Sequence, residues 1–328
     1  MNNRFSIILP VRNGGEYLKE CVNSILSQTY PQFNLFVLNN NSNDGTREWL
    51  ESLNDNRIII KNSDTDLSMP DNWARALDLP LNEYITFIGH DDRLHEDYFQ
   101  IMNDLIGQHP HASVYQTHFN YIDSQGKQVR SCQPMPEKIP VEDFLRLQFT
   151  QKMDSMGTGY LFRSNDYKKL GGFPATYPNL LFGDYELFVK LTTLSYMAVS
   201  SHKGFDYRLH VSLSISTHID KYRIAFGMYL HFLNEFQKGR KGVHQTIKEY
   251  GRVYLNYYCQ SLSHRLLKIN AANRVSVSSF IKECKTNAIL LGIKNFKPEH
   301  IFKIRIAAIL DSTAITRSLF QIVRKWLR

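Results

Sequence analysis

The stretch Tyr84-Ile85-Thr86-Phe87-Ile88-Gly89-His90-Asp91-Asp92 sets a short apolar run against a turn and two adjacent carboxylates. The run is β-branched and aromatic, and it reads as a strand buried on both faces. Ionisable pairs are poor packing elements, but carboxylate oxygens are good ligands for Mg²⁺ or Mn²⁺. The competing reading is an Asp cap for a helix that opens near Glu96.

Working outward from this run, strand and helix alternate. Phe5 to Leu9, Asn34 to Leu38 and Arg57 to Lys61 are strand-like runs. Between them, Glu16 to Gln28 and Asp44 to Leu53 carry apolar residues at helical spacing, and Asn72 to Leu79 reads as a third helix. Strands joined by single helices form a parallel, doubly wound sheet. Such sheets bind ligands at the carboxyl ends of their strands. The loops to read are therefore Pro10–Gly15, Asn39–Gly45 and Gly89–Arg93. Pro134 to Pro140 reads as a surface crossing, Val141 to about Ser201 as a second αβ segment, and the chain beyond Asp220 as helical.

Composition narrows the class. The chain has 328 residues, 43% hydrophobic and 21% charged, which is ordinary for a globular protein. Cys21, Cys132, Cys259 and Cys284 form no C-x-x-C pair, so a disulfide scaffold and a cysteine-rich zinc site are excluded. The first apolar run is too short for a secretory signal, and no membrane-spanning helix is expected. A cytoplasmic location is expected. Charge is divided: Lys221 to Arg328 holds 20 Lys+Arg against 5 Asp+Glu, giving +15, whereas the rest balances at −7. A basic tail on an acidic body suits a polyanionic surface. Residues 1–220 and 221–328 accordingly read as separate domains.

Further candidates carry weak signals individually. Asn39 to Thr46 can contact a base or ribose, or cap the next helix through Asp44 or Thr46. Asp184, in Gly183-Asp184-Tyr185-Glu186, is a helix cap or a general base. His210 follows Tyr207-Arg208-Leu209 and is an isolated histidine. No phosphate-binding Gly-Lys loop, G-x-S-x-G or H-E-x-x-H occurs.

The order of these segments resembles the family 2 glycosyltransferases of the GT-A fold over residues 4 to 215. Ile7 to Leu18 is similar to that family's opening strand and loop, and Ser24 to Tyr30 to its first helix end. Asn39 to Thr46 stands where an Asp-Asp-Gly-Ser-type loop is usual. Gly89-His90-Asp91-Asp92 is similar to the Asp-x-Asp metal region with its first Asp replaced, and Gly171-Gly172-Phe173 with Gly183 to Glu186 to the acceptor-side segment. The resemblance implies an α/β, GT-A-type doubly wound mixed sheet with a C-terminal helical extension. It implies that Pro10, Arg12 and Asn40 line the base pocket, that Asp91 approaches the ribose, and that Asp92 holds Mn²⁺ or Mg²⁺. Asp184 becomes the catalytic base of an inverting transfer, and His210 a further metal ligand. The donor is a nucleoside-diphosphate sugar, UDP favoured, and the acceptor a hydroxyl of a glycan or lipid-linked molecule, as in bacterial surface polysaccharide synthesis.

Three departures matter. Asn39 and Asn40 replace the usual Asp, and an amide both donates and accepts; Asn40 can read uracil through its oxygen or cytosine through its NH₂. Gly183 replaces an acidic residue, and Gly89 removes a carboxylate. A non-catalytic nucleotide-binding relative is the alternative that Asn39, Asn40 and Gly89 favour, and a nucleotidyltransferase is the other. From His300 to Arg328, six Lys+Arg meet the single Asp311 among bulky apolar residues. That composition suits helices lying in an anionic membrane interface, at the inner face of the cell membrane; the alternative is helices packed on the body. Nucleic acid is not an expected partner.

Overall fold

The computed structural model describes residues 3–209, 219–269 and 275–326. They fall into two compact units. The first comprises the residues up to Phe144 and those from Met153 to the end of the sheet. The second comprises Leu145–Lys152 and the helices from Ile219 onward. This division is not the expected one at 220: Leu145–Lys152 groups with the helices, as do Ile219 and Asp220. Phe149 supplies the reason, since its ring stacks on Tyr254 at 4.6 Å.

The first unit is built on one sheet. Strands β1 (Phe5–Val11), β2 (Phe33–Asn40), β3 (Ile58–Ser63) and β4 (Tyr84–Phe87) are parallel, in the order β3-β2-β1-β4. Helix α1 (Gly15–Leu26) links β1 to β2, α2 (Thr46–Ser52) links β2 to β3, and α3 (Met69–Ala74) leads back towards β4. The chain builds outward from β1 and then returns to its other side, so the topological switch lies between β1 and β4. Every residue of β1 and β4 is buried, which their uninterrupted apolar runs require.

Beyond β4 the parallel reading gives way to a mixed sheet. Short β5 (Arg93–Leu94) follows the double carboxylate, then α4 (Tyr98–Gln108) and β6 (Val114–Ile122). β7 (Gln128–Ser131) returns antiparallel to β6, β8 (Lys138–Ile139) lies in the proline-rich crossing, and α5 (Val141–Phe149) follows. β9 (Leu161–Arg163) is inserted antiparallel between β4 and β6, and β10 (Met197–Arg208) runs parallel to β6. Two antiparallel steps restore direction, so β6 and β10 end at the same sheet edge as β1, β2 and β4, and β9 starts there. This is the mixed sheet that the resemblance implied.

Helix boundaries shift for local reasons. α3 starts earlier than Asn72 because Ser68 caps it, accepting from the Asp71 amide at 3.2 Å, with Pro70 in its first turn. Arg75–Asp78 continues as a 3₁₀ turn. α2 has Gly45, in a left-handed conformation, at its cap position instead of Asp44 or Thr46. α6 (Ser164–Lys169) and α7 (Gly183–Leu194) complete the first unit. The second unit contains α8 (Ile219–Phe236), α9 (Lys241–Leu267), α10 (Val277–Leu290), α11 (Phe302–Leu310) and α12 (Ala314–Trp326). Tyr254 is buried there, whereas Tyr257 is exposed.

Candidate active site

The double carboxylate leaves the end of β4 in a tight turn, with the Asp92 amide donating to the Gly89 carbonyl at 3.1 Å. Neither Asp caps a helix: α4 begins only at Tyr98, with Asp97 at its cap position. Asp92 is 2% exposed and accepts from the Arg208 backbone amide at 2.9 Å. Burial and the neighbouring charge of Asp91 push its carboxyl well above the ordinary range. Gly89 is held from β9's side, its amide donating to Thr158 Oγ1 at 2.8 Å.

Gly89 also explains itself sterically. A Cβ there would stand 2.6 Å from Asp91 Oδ1 and 2.9 Å from Asp92 Oδ2. Two carboxylate oxygens from different side chains therefore converge on a space that any other residue would fill. That donor set fits a hard divalent cation. Among the described residues no group of three or more His, Cys, Asp or Glu side chains is arranged to hold a metal ion. His210, the expected further ligand, lies outside the described residues.

Arg208 organises this turn, a role the sequence did not reveal. It is fully buried at the end of β10. Its Nε donates to the Asp91 carbonyl at 2.8 Å, and its Nη1 to the carbonyls of Asp123 (3.2 Å) and Ser124 (3.3 Å). Its Nη2 pairs with Glu20, and the guanidinium lies 4.5 Å from the Tyr17 ring centre. One planar cation with fixed donors can satisfy all these acceptors together. Nearby, Asp206 gathers Arg93, His95 and Asn120. Burial would raise its carboxyl, but these hydrogen bonds bring it down to about 2.

Pro10 and Asn40 lie buried at the ends of β1 and β2, on the same edge as Asp91 and Asp92. Arg12 is exposed and pairs with Asp66, which also accepts from Asn41 Nδ2 at 3.0 Å. Asn40, expected to read the base, is engaged with the chain itself. Its Nδ2 donates to the Leu67 carbonyl at 2.9 Å, and its Oδ1 accepts from the Leu67 amide at 2.8 Å. Both ends of the amide hold the loop before α3. Asn39 is likewise engaged, donating to Asn62 Oδ1 at 2.8 Å. Asn72 and Arg75 extend the same network towards the ends of β2 and β3.

Asp184 stands in the first turn of α7, but Phe182 occupies the cap position. Asp184 Oδ1 accepts from the Tyr185 amide at 2.9 Å, and burial pushes its carboxyl up to about 6. Asn179, Leu180 and Phe182, just before it, all have positive φ, at 53°, 56° and 64°. Non-glycine residues tolerate that conformation only where packing imposes it. Gly183 is not sterically required: a Cβ would meet only ordinary contacts, the nearest at 3.6 Å. Two residues on, Glu186 is held by Tyr177 Oη at 2.6 Å and Lys190 Nζ at 2.5 Å.

This edge brings together a paired carboxylate and a loop stitched by amides. The family model described as Glycosyl transferase family 2 matches residues 6–171, half of the chain. The chain belongs to that family. Among curated proteins it is similar to glycosyltransferase GlyG of Streptococcus pneumoniae, 26% identical over 128 residues, covering 38% of this chain and 42% of that one. It is also similar to a PGL/p-HBAD biosynthesis glycosyltransferase of Mycobacterium bovis, 35% identical over 116 residues, covering 34% and 45%. The matches span less than half the length of these relatives. The fold is shared with S. aureus TarS 1-349 in complex with UDP-GlcNAc, at TM-score 0.70 and 15% identity, covering 98% of this chain and 92% of that one. It is shared as well with the mannosyltransferase PcManGT of Pyrobaculum calidifontis, in complex with GDP-Man and Mn²⁺, at TM-score 0.52 and 15% identity, covering 98% and 88%. The GT-A-type fold and C-terminal helices of this family 2 chain follow from these likenesses. Among the described residues, no single helix is long and apolar enough to cross a membrane.

Proposed function

We propose that this protein is an inverting glycosyltransferase that moves a sugar from a nucleoside-diphosphate donor to a hydroxyl acceptor. The observation carrying this reading is the convergence of Asp91 and Asp92 oxygens beside Gly89, at the carboxyl edge of β1, β2 and β4. The donor lies across that edge, lined by Pro10, Arg12 and Asp91, with Asn40 shaping the pocket through the Leu67 loop. Asp92, with Asp91 beside it and His210 as a further ligand, would hold Mn²⁺ or Mg²⁺, which neutralises charge on the departing diphosphate.

Asp184 is the base. Its carboxylate takes the acceptor's hydroxyl proton as that oxygen bonds to the anomeric carbon; the bond to the diphosphate oxygen breaks, and the nucleoside diphosphate leaves with that electron pair. A carboxyl titrating at about 6 is ionised at neutral pH and more basic than an ordinary Asp. UDP is the favoured nucleotide, supported by the fold shared with a UDP-GlcNAc complex. The acceptor is a glycan or lipid-linked molecule of surface polysaccharide synthesis, a reading supported by the relative named for PGL/p-HBAD biosynthesis. The enzyme works at the cytoplasmic face of the membrane, with the basic C-terminal helices towards anionic lipid.

Thermal unfolding with UDP, CDP, GDP and dTDP, each with and without Mn²⁺, tests this reading. A ligand that binds only the folded state raises the melting temperature. A metal-dependent rise with one diphosphate supports the transferase and names its nucleotide; no rise with any of them refutes it.

A further inference from the structure

We infer that one face of the α11–α12 pair is a docking surface for an anionic lipid bilayer, a proposal that rests on the membrane part of the reading above and deepens it. α12 sits with its polarity reversed relative to a soluble helix. Its polar residues hold the second unit: Arg317 pairs with Asp311 at 3.0 Å, Gln321 Nε2 donates to the Leu267 carbonyl at 2.8 Å, and Arg324 Nη1 reaches the Lys268 carbonyl at 3.4 Å. These residues follow helical spacing and share one side. The opposite side carries Ile315, Leu319 and Ile322, which are 81%, 61% and 54% exposed. An amphipathic helix packed for solubility puts its apolar stripe inward.

α11 continues the surface. It buries Ile304 and Ala307, while Phe302, Ile306 and Ile309 point away from them and stay exposed, Phe302 by 73%. Isolated surface hydrophobes need no explanation, but six large ones on the free sides of two consecutive helices do.

Charge selects the occupant. Lys303 and Arg305 are exposed beside this row, and the stretch's single acid, Asp311, is already taken by Arg317 and by the Val277 amide at 2.8 Å. A second copy on this face would set basic groups against basic groups, whereas anionic headgroups complement them. Geometry selects the depth. The helices have 9 and 13 residues and bend by 111° where they join. A transmembrane helix needs about 20 apolar residues, which the pair reaches only across this bend, so the two suit the headgroup boundary rather than a straight span of the bilayer.

The test is flotation of the full chain with phosphatidylcholine vesicles with and without phosphatidylglycerol. Wild type is compared with Ile315→Ser/Leu319→Ser/Ile322→Ser and with Lys303→Gln/Arg305→Gln. The changed side chains are exposed, and circular dichroism confirms that each variant folds. The expected result is flotation with the anionic vesicles, at least tenfold weaker partitioning for the triple variant, and loss of the anionic preference in the charge variant. Equal flotation of the triple variant and wild type overturns this face while sparing the membrane reading. Wild type floating with neither vesicle overturns both. A lipid-free wild-type oligomer that the triple variant converts to monomer assigns the face to a second copy instead. Nucleotide-dependent thermal shifts, measured in parallel, report separately on the transferase reading.

Discussion

Replacing Asp184 by Asn separates chemistry from stability, because the two readouts move in opposite directions. Burial holds this carboxyl at about 6 against an ordinary 3.8, so the fold favours its neutral form by about 3 kcal/mol. The raised value means that the folded chain binds the proton more tightly than the unfolded chain. Stability is therefore lost as pH rises from the unfolded value through about 6, and the full cost remains above it. Asparagine cannot ionise, yet it keeps an oxygen to accept from the Tyr185 amide. The variant should gain about 2 kcal/mol on wild type between about pH 4.5 and about pH 7.5. Urea unfolding of both proteins at both pH values gives this double difference, in which contributions that do not titrate cancel. Turnover should fall ~10²- to 10⁴-fold with donor binding unchanged, the range for loss of a general base. Wild-type activity should show an acid limb near pH 6. Parallel stability profiles would refute the claim that burial raises this carboxyl, and undiminished turnover would remove Asp184 from the chemistry.

Other substitutions probe the supporting structure. Gly89→Ala puts a methyl 2.6 and 2.9 Å from the two carboxylate oxygens, so metal-dependent stabilisation by nucleotide should be lost in calorimetry while the fold persists. Arg208→Lys keeps the charge but not the fixed fork, and unfolding should show a loss of about 2–4 kcal/mol with weakened nucleotide binding. Asn40→Asp sets a carboxylate oxygen against the Leu67 carbonyl now 2.9 Å from Nδ2, and should cost about 1–3 kcal/mol in urea unfolding. Both His95 ring nitrogens face acceptors, Lys203 O at 2.8 Å and Asp206 Oδ1 at 3.0 Å, and the bond to Asp206 raises its pKa. That stabilisation is complete below about pH 6.5 and is lost as pH rises through the folded value, so His95→Gln should flatten the stability profile there.

The first four strands and their helices were legible because their runs are local and uninterrupted. β9 was not, since three residues carry no period and its place between β4 and β6 is set by pairing with both. Asp91 and Asp92 drew attention as acids standing where packing does not need them, and Asp184 did so through the resemblance. Arg208 stood beside the histidine that drew attention, but its partners lie far away in sequence: Glu20 is 188 positions away and the Asp91 carbonyl 117. No window along the chain contains such a contact. The loop before α3 was unreadable for the same reason, because Asn40, Asn41 and Arg12 fix it from the ends of β2 and β1.

The amides at 39 and 40 change meaning once their partners are known. Against the acidic pattern of related chains, they suggested a lost base contact and hence a binding-only relative. Asn40 instead donates to and accepts from one backbone position, which a carboxylate cannot do. Asn39 donates to Asn62 and lies in register with it across β2 and β3. Both substitutions thus have a structural reason at the sheet edge, independent of whether a base is read there. Gly89 has one as well, since its missing Cβ leaves room for two carboxylates to converge. The departures that spoke for degeneracy are accounted for by loop closure and by space beside the acids. What remains at that edge is a pair of carboxylates whose oxygens converge beside Gly89.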